Sequence, residues 1–161
     1  MKLYLIGMMG SGKTTLGKAL ADKLNYQFID MDVYIENEVK MSINEIFSIH
    51  GEAWFREYEK KVLNDFCKMD NLVIATGGGV IKNKENKKLM DGKCIYLSVP
   101  LKELEDRLQN DNTRPLLKTR SVKDILLERI PLYEYFSDIT VENVCMEKAL
   151  NQILEELKWR Y

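Results

Sequence analysis

Residues 3–14 read Leu-Tyr-Leu-Ile-Gly-Met-Met-Gly-Ser-Gly-Lys-Thr, an apolar run that ends in a glycine-rich turn and passes straight into a helical pattern. No other stretch restricts the fold as much. Leu3–Ile6 suits a buried strand, and residues 13–24 carry the spacing of an amphipathic helix. Between them, Gly7 to Thr14 fits G-x-x-x-x-G-K-[ST] at every fixed position. Glycines let the backbone curl so that successive N–H groups converge on phosphate oxygens, and the following helix N-terminus adds partial positive charge. Gly10, Ser11, Gly12, Lys13, Thr14 and Thr15 are therefore the candidate nucleotide-binding residues. Lys13 is expected to reach the β- and γ-phosphates and Thr14 to ligate Mg²⁺.

Further apolar runs at Phe28-Ile29, Leu72–Ala75, Cys94–Val99 and Ile139–Val141 also read as strands. Helical spacing covers 33–40, 42–50, 52–69, 84–91, 101–110, 121–136 and 146–158. This alternation predicts an α/β fold, a parallel sheet with helices on both faces and ligands outside the carboxyl ends of its strands. At 161 residues the chain suits one domain rather than two. Its 45% hydrophobic content, 30% charged content and net charge of −1 fit a soluble globular protein and lack the basic excess of a nucleic-acid binder. Cys67, Cys94 and Cys145 form no C-x-x-C pair, which points to a reducing, cytoplasmic compartment. Lys2 and the apolar residues after it imitate a signal peptide too short to be one, and no run is long enough to span a membrane.

Asp30-Met31-Asp32 closes the second strand. Residues two apart on a strand share a face, so both carboxylates are expected to point toward the phosphates. One would hold the metal ion while the other orients or deprotonates an attacking hydroxyl; the bland alternative is a turn or the cap of the next helix. A switch GTPase would carry N-K-x-D, whereas Asn83-Lys84-Glu85-Asn86 has the wrong fourth residue, which favours γ-phosphate transfer to a small acceptor. In Phe55-Arg56-Glu57-Tyr58-Glu59, Arg56 suits either a surface pair with Glu59 or a two-pronged grip on an anionic substrate. Thr76-Gly77-Gly78-Gly79-Val80 places bare backbone at a strand end, and the polar stretch 109–118 with Pro115 reads as a mobile surface loop.

In order along the chain, the phosphate loop, Asp-x-Asp, Phe-Arg-x-x-Glu, Gly-Gly-Gly, Arg-Pro-Leu-Leu and Arg-x-x-Leu-Tyr together resemble the shikimate kinase family. The resemblance implies one domain over 1–161 with the three-layer P-loop kinase fold, a five-stranded parallel sheet and a mobile lid near 109–120. It implies ATP-dependent phosphorylation of the shikimate 3-hydroxyl, giving shikimate 3-phosphate and ADP on the route to chorismate and the aromatic amino acids. Carried over residue by residue, Lys13, Asp32 and Arg114 are catalytic, Asp32 at the acceptor hydroxyl and Arg114 closing over ATP. Thr14 and Asp30 fall on the Mg²⁺ side, and Arg107 near the adenine. Arg56, Gly77, Gly78, Gly79 and Arg129 would hold shikimate, Ile43, Phe47 and Phe55 would line its pocket, and Glu59 would position Arg56. A cytoplasmic monomer that meets shikimate and ATP, but neither nucleic acid nor membrane, is expected. Tyr135 departs from the glutamate often found there, and the segment after Val141 carries no clear adenine-binding motif. A gluconate kinase would share the fold and phosphate loop, without evident need for two arginines on a cyclic carboxylate.

Overall fold

The structure is a computed structural model that describes residues 1–109, 117 and 120–158. Five strands form one all-parallel sheet: β1 (Lys2–Ile6), β2 (Gln27–Asp30), β3 (Leu72–Ala75), β4 (Lys93–Ser98) and β5 (Ile139–Glu142). Their spatial order is β2-β3-β1-β4-β5. Around them run α1 (Lys13–Leu24), α2 (Met31–Val39), α3 (Ile43–Ile49), α4 (Glu52–Phe66), α5 (Asn86–Leu89), α6 (Leu101–Leu108), α7 (Val122–Phe136) and α8 (Met146–Lys158).

The central strands are apolar at nearly every position because both faces are covered, and alternate residues feed two separate cores. Leu3, Leu5, Val73, Ile95 and Leu97 pack with Leu16 and Leu20 of α1 and Ile153 of α8. Tyr4, Ile6, Ile74, Cys94 and Tyr96 pack on the opposite face with Ile35 of α2, Val62 and Phe66 of α4 and Tyr133 of α7. The buried ammonium of Lys2 ties β1 to the end of α4, donating to the carbonyls of Phe66, Cys67 and Met69 and pairing with Asp91 at 2.8 Å. A cation there matches the negative end of the helix. No helix among the described residues is long and apolar enough to cross a membrane.

Two segments differ from the expected pattern. The helix expected over 84–91 is confined to Asn86–Leu89, preceded by a 3-10 turn at Val80–Lys82. The Asn83 side chain accepts from Glu85 N, and the buried Asn86 side chain donates back to Val80 O; such local bonds compete with a longer helix. Strand β2 stops at Asp30, and α2 begins at Met31. Asp30 and Asp32 therefore do not share a strand face. Asp30 is the N-cap, its Oδ1 accepting from Asp32 N and Val33 N at 3.1 and 3.2 Å, while Asp32 stands in the first turn of the helix.

The chain order reverses direction in the sheet around β1, and this opens a crevice at the carboxyl ends of β1 and β3. Leu5 pairs with Ala75, and Ala75 with Asp30, so the Asp30 cap stands level with the last residues before the turns that carry Gly7 and Gly77, and all three open on one end of the sheet. Thr76 secures the join, its N and Oγ1 both donating to Leu5 O at 3.1 and 2.8 Å.

Candidate active site

The loop after β1 turns through left-handed backbone at Gly10 (φ +78°) and Gly12 (φ +91°), conformations that side chains disfavour. Ser11 N donates to Met8 O at 3.0 Å, closing the turn. Two outer carbonyls of the loop are tied down: Arg107 Nη1 donates to Gly10 O and Asn143 Nδ2 to Ser11 O. Arg107 Nη2 also donates to Asn143 O, so α6, the end of β5 and the loop brace one another. The resemblance implies adenine as the neighbour of Arg107, and its described partners are protein carbonyls and Glu103. Asn143 lies in the segment that carries no legible motif; only the tertiary contact reveals it.

Lys13 Nζ donates to Gly7 O and Met8 O at 2.8 and 2.9 Å, and Thr14 Oγ1 donates to Asp30 Oδ2 at 3.0 Å. Gly10, Gly12, Lys13, Thr14, Thr15, Asp30 and Asp32 line a cavity of about 350 Å³. Among the described residues, no group of three or more His, Cys, Asp or Glu is placed to hold a metal ion. The adjacent Thr14 and Asp30 oxygens nevertheless fit Mg²⁺, which keeps several waters and shares substrate phosphates rather than demanding a full protein cage.

A second cavity of about 460 Å³ joins the first at Met9, Asp32 and Gly78. Its walls are Ile43, Phe47 and Phe55, with Arg56, Glu59, Gly77, Gly78, Gly79 and Arg129 at its polar end. Phe47 and Phe55 pack with ring centroids 5.0 Å apart, and the Arg56 guanidinium lies 5.2 Å from the Phe55 ring centroid. Arg56 does pair with Glu59, though not at the surface: Nη1 donates to the fully buried Glu59 at 2.7 Å, while Nε, also buried, has no hydrogen-bond partner among the described residues. Arg129, 2% exposed on α7, likewise leaves Nη1 unpartnered among the described residues. Arg114 lies outside the described residues, as does most of the lid expected near 109–120. Glu36, Ser42, Asn44 and Glu52 also line this cavity, and none of them belongs to a motif legible in the sequence.

The glycine run serves the charged groups around it. A Cβ at Gly77 would stand 2.8 Å from Asp32 Oδ1 and 3.0 Å from Glu59 Oε2, one at Gly78 3.0 Å from Arg129 Nη1, and one at Gly79 2.7 Å from Arg56 Cζ. Each glycine makes room for a different set of ionisable side chains, and none of the three needs left-handed backbone.

Burial, reinforced by the charge of Asp30, pushes the Asp32 carboxyl above its ordinary range, against the pull of Lys13 and Arg56. Burial outweighs Arg56 at Glu59 and pushes that carboxyl up to about 7. The unfolded chain releases this proton near 4.5, so between there and about 7 the folded state holds a proton that the unfolded state has lost. Stability therefore falls as pH rises through that window and levels off above it, a cost of up to roughly 3 kcal/mol. Glu59→Gln should flatten this slope: in urea unfolding, the loss between pH 5 and pH 8 should be smaller than in the wild type. An equal loss would assign the slope elsewhere.

A sequence profile of the family described as shikimate kinase matches residues 9–158. The chain belongs to the shikimate kinase family. It is 44% identical to the shikimate kinase of Rippkaea orientalis over 96% of this chain and 87% of that one. With the shikimate kinase of a Sulfurihydrogenibium species, identity is 42% over 96% and 94%. Among solved structures, the shikimate kinase from Acinetobacter baumannii in complex with shikimate superposes with a TM-score of 0.92 at 35% identity, covering 99% of this chain and 93% of that one. A gluconokinase from Sinorhizobium meliloti reaches a TM-score of 0.57 at 14% identity over 99% and 96%, a likeness of fold alone. The shikimate kinase motifs thus sit on the matching three-layer α/β fold, with a five-stranded parallel sheet.

Proposed function

We infer that this member of the shikimate kinase family transfers the γ-phosphoryl group of ATP to the 3-hydroxyl of shikimate. The products are ADP and shikimate 3-phosphate, an intermediate of aromatic amino-acid biosynthesis. The observation that carries the reading is the meeting of the two cavities at Asp32: a phosphate-binding loop opens on one side and a cationic, aromatic-walled pocket on the other.

In this reading the loop N–H groups and Lys13 bind the phosphates, while Arg56 and Arg129 take the shikimate carboxylate at the polar end of the acceptor cavity. Phe47 and Phe55 pack the apolar part of the ring, Glu59 holds Arg56, and the glycine run leaves space for both arginines. Asp32 orients the acceptor hydroxyl and receives its proton as the new O–P bond forms and the bond to the ADP oxygen breaks. Its carboxyl, displaced upward by burial, is a better proton acceptor than an exposed aspartate. Thr14 and Asp30 would hold Mg²⁺, which supplies positive charge beside the phosphates. Arg107 braces the loop, and Arg114 is proposed to close over ATP. The protein is proposed to act as a single-domain cytoplasmic monomer.

A coupled ADP-release assay with shikimate, gluconate or no acceptor tests the reading. Turnover should require shikimate; none with shikimate, or equal turnover without it, refutes it. The glycine run gives a finer test. Gly79→Ala would push a methyl group into the Arg56 guanidinium, which yields by moving because it ends a flexible side chain. The displaced guanidinium should raise the shikimate KM about five- to 150-fold, equivalent to about 1–3 kcal/mol of binding, at nearly unchanged thermal stability. An unchanged KM would show that the Arg56 position does not matter.

A further inference from the structure

A carboxylate at the mouth of the acceptor cavity has no part in the scheme above. Glu52, the first residue of α4, lines that cavity, and its Oε1 accepts from Arg56 Nη2 at 3.3 Å and from Lys82 Nζ at 3.1 Å. Lys82 closes the 3-10 turn that follows the glycine run, so the strand end that sets Gly77–Gly79 also sets this cation. Side-chain exposure rises from 21% at Arg56 to 30% at Lys82 and 48% at Glu52, which places Glu52 outermost on the rim. The Lys82 hydrogen bond, with the charges of Lys82 and Arg56, holds the Glu52 carboxyl below its ordinary range against burial, so it is anionic at neutral pH.

Arg56 thus meets two carboxylates with different geometry. Glu59 grips Nη1 from the buried side, and Glu52 occupies Nη2 from the open side. An incoming carboxylate competes with Glu52 for the open side alone, because Glu59 is fully buried behind the guanidinium. We propose that Glu52 stands in for the substrate carboxylate on Arg56 and Lys82, and that Lys82 is a further cation steering the anionic acceptor into the pocket. This rests on the shikimate kinase reading. Glu128 adds negative charge near Lys82 and Arg129 but is itself paired with Arg120 at 2.6 Å.

The distinguishing result is a gain. Glu52→Gln keeps the shape and removes the competing charge, so the shikimate KM should fall about two- to fivefold, the range of an exposed ion pair, with the change in KM rather than kcat. A residue that merely helps start α4 would give a loss. Lys82→Met should raise the KM by a similar factor and flatten the dependence of kcat/KM on ionic strength, as expected when a rim charge that guides association is removed. The Lys82 variant carries the test if Glu52→Gln melts early. A Glu52→Gln KM equal to or above that of the wild type, or a Lys82→Met enzyme with unchanged KM and salt dependence, overturns the proposal. Failure of the wild type to phosphorylate shikimate overturns the underlying reading instead.

Discussion

Arg56→Ala should weaken shikimate binding by roughly 2–5 kcal/mol, the cost of removing one partner of a desolvated charge contact, and leave ATP affinity nearly intact. In Kd this is a loss of about thirtyfold to several-thousandfold. The size follows from the setting: the Arg56 side chain is one-fifth exposed, braced by Glu59 at 2.7 Å and set against Phe55, with Nε unpartnered among the described residues. Arg56→Lys should recover little, since an ammonium keeps the charge without the planar fork. The alanine change also strips Glu59 of its counter-charge, so the variant should lose more stability at pH 8 than at pH 6, where that carboxyl can stay protonated. Titration calorimetry with shikimate and with an ATP analogue separates the two substrates. Unchanged shikimate affinity would remove Arg56 from the site.

Asp32→Asn should lower kcat by about 10²–10⁴-fold, the usual contribution of a positioned general base, while ATP binding changes far less. The amide preserves the side-chain shape beside Gly77 and cannot take the hydroxyl proton. It also removes one negative charge from beside Asp30, which is already engaged as the cap of α2. A near-wild-type rate would mean that alignment by the two arginines and the phosphate loop suffices and that Asp32 is a bystander.

What is legible in the sequence follows from where the information is stored. The phosphate loop is readable because its requirements are local, a left-handed turn at the fixed Gly12 and then a helix N-terminus carrying Lys13 and Thr14. The aspartates are legible in identity but not in conformation. Period-two reasoning assumes that β2 continues past Asp30, whereas the Asp30 side chain caps α2 and ends the strand. The glycine run is visible, yet its reason lies in side chains from α2, α4 and α7, separated from it by many residues. Asn143 and Glu52 have no signal of their own, since an asparagine after a strand and a glutamate at a helix start are ordinary residues. Glu52 meets Arg56 as a local i,i+4 pair on α4, but the bonds that give these residues their significance, Asn143 to Ser11 O and Glu52 to Lys82, join segments far apart in the chain.

The most direct test of the account is the identity of the product. Incubation with ATP, Mg²⁺ and shikimate, followed by phosphorus–proton correlation NMR, should give a single monophosphate coupled to the proton on carbon 3, formed in step with ADP. Phosphate on another hydroxyl, or ADP released with inorganic phosphate and no ester, would contradict the placement of the acceptor hydroxyl at Asp32.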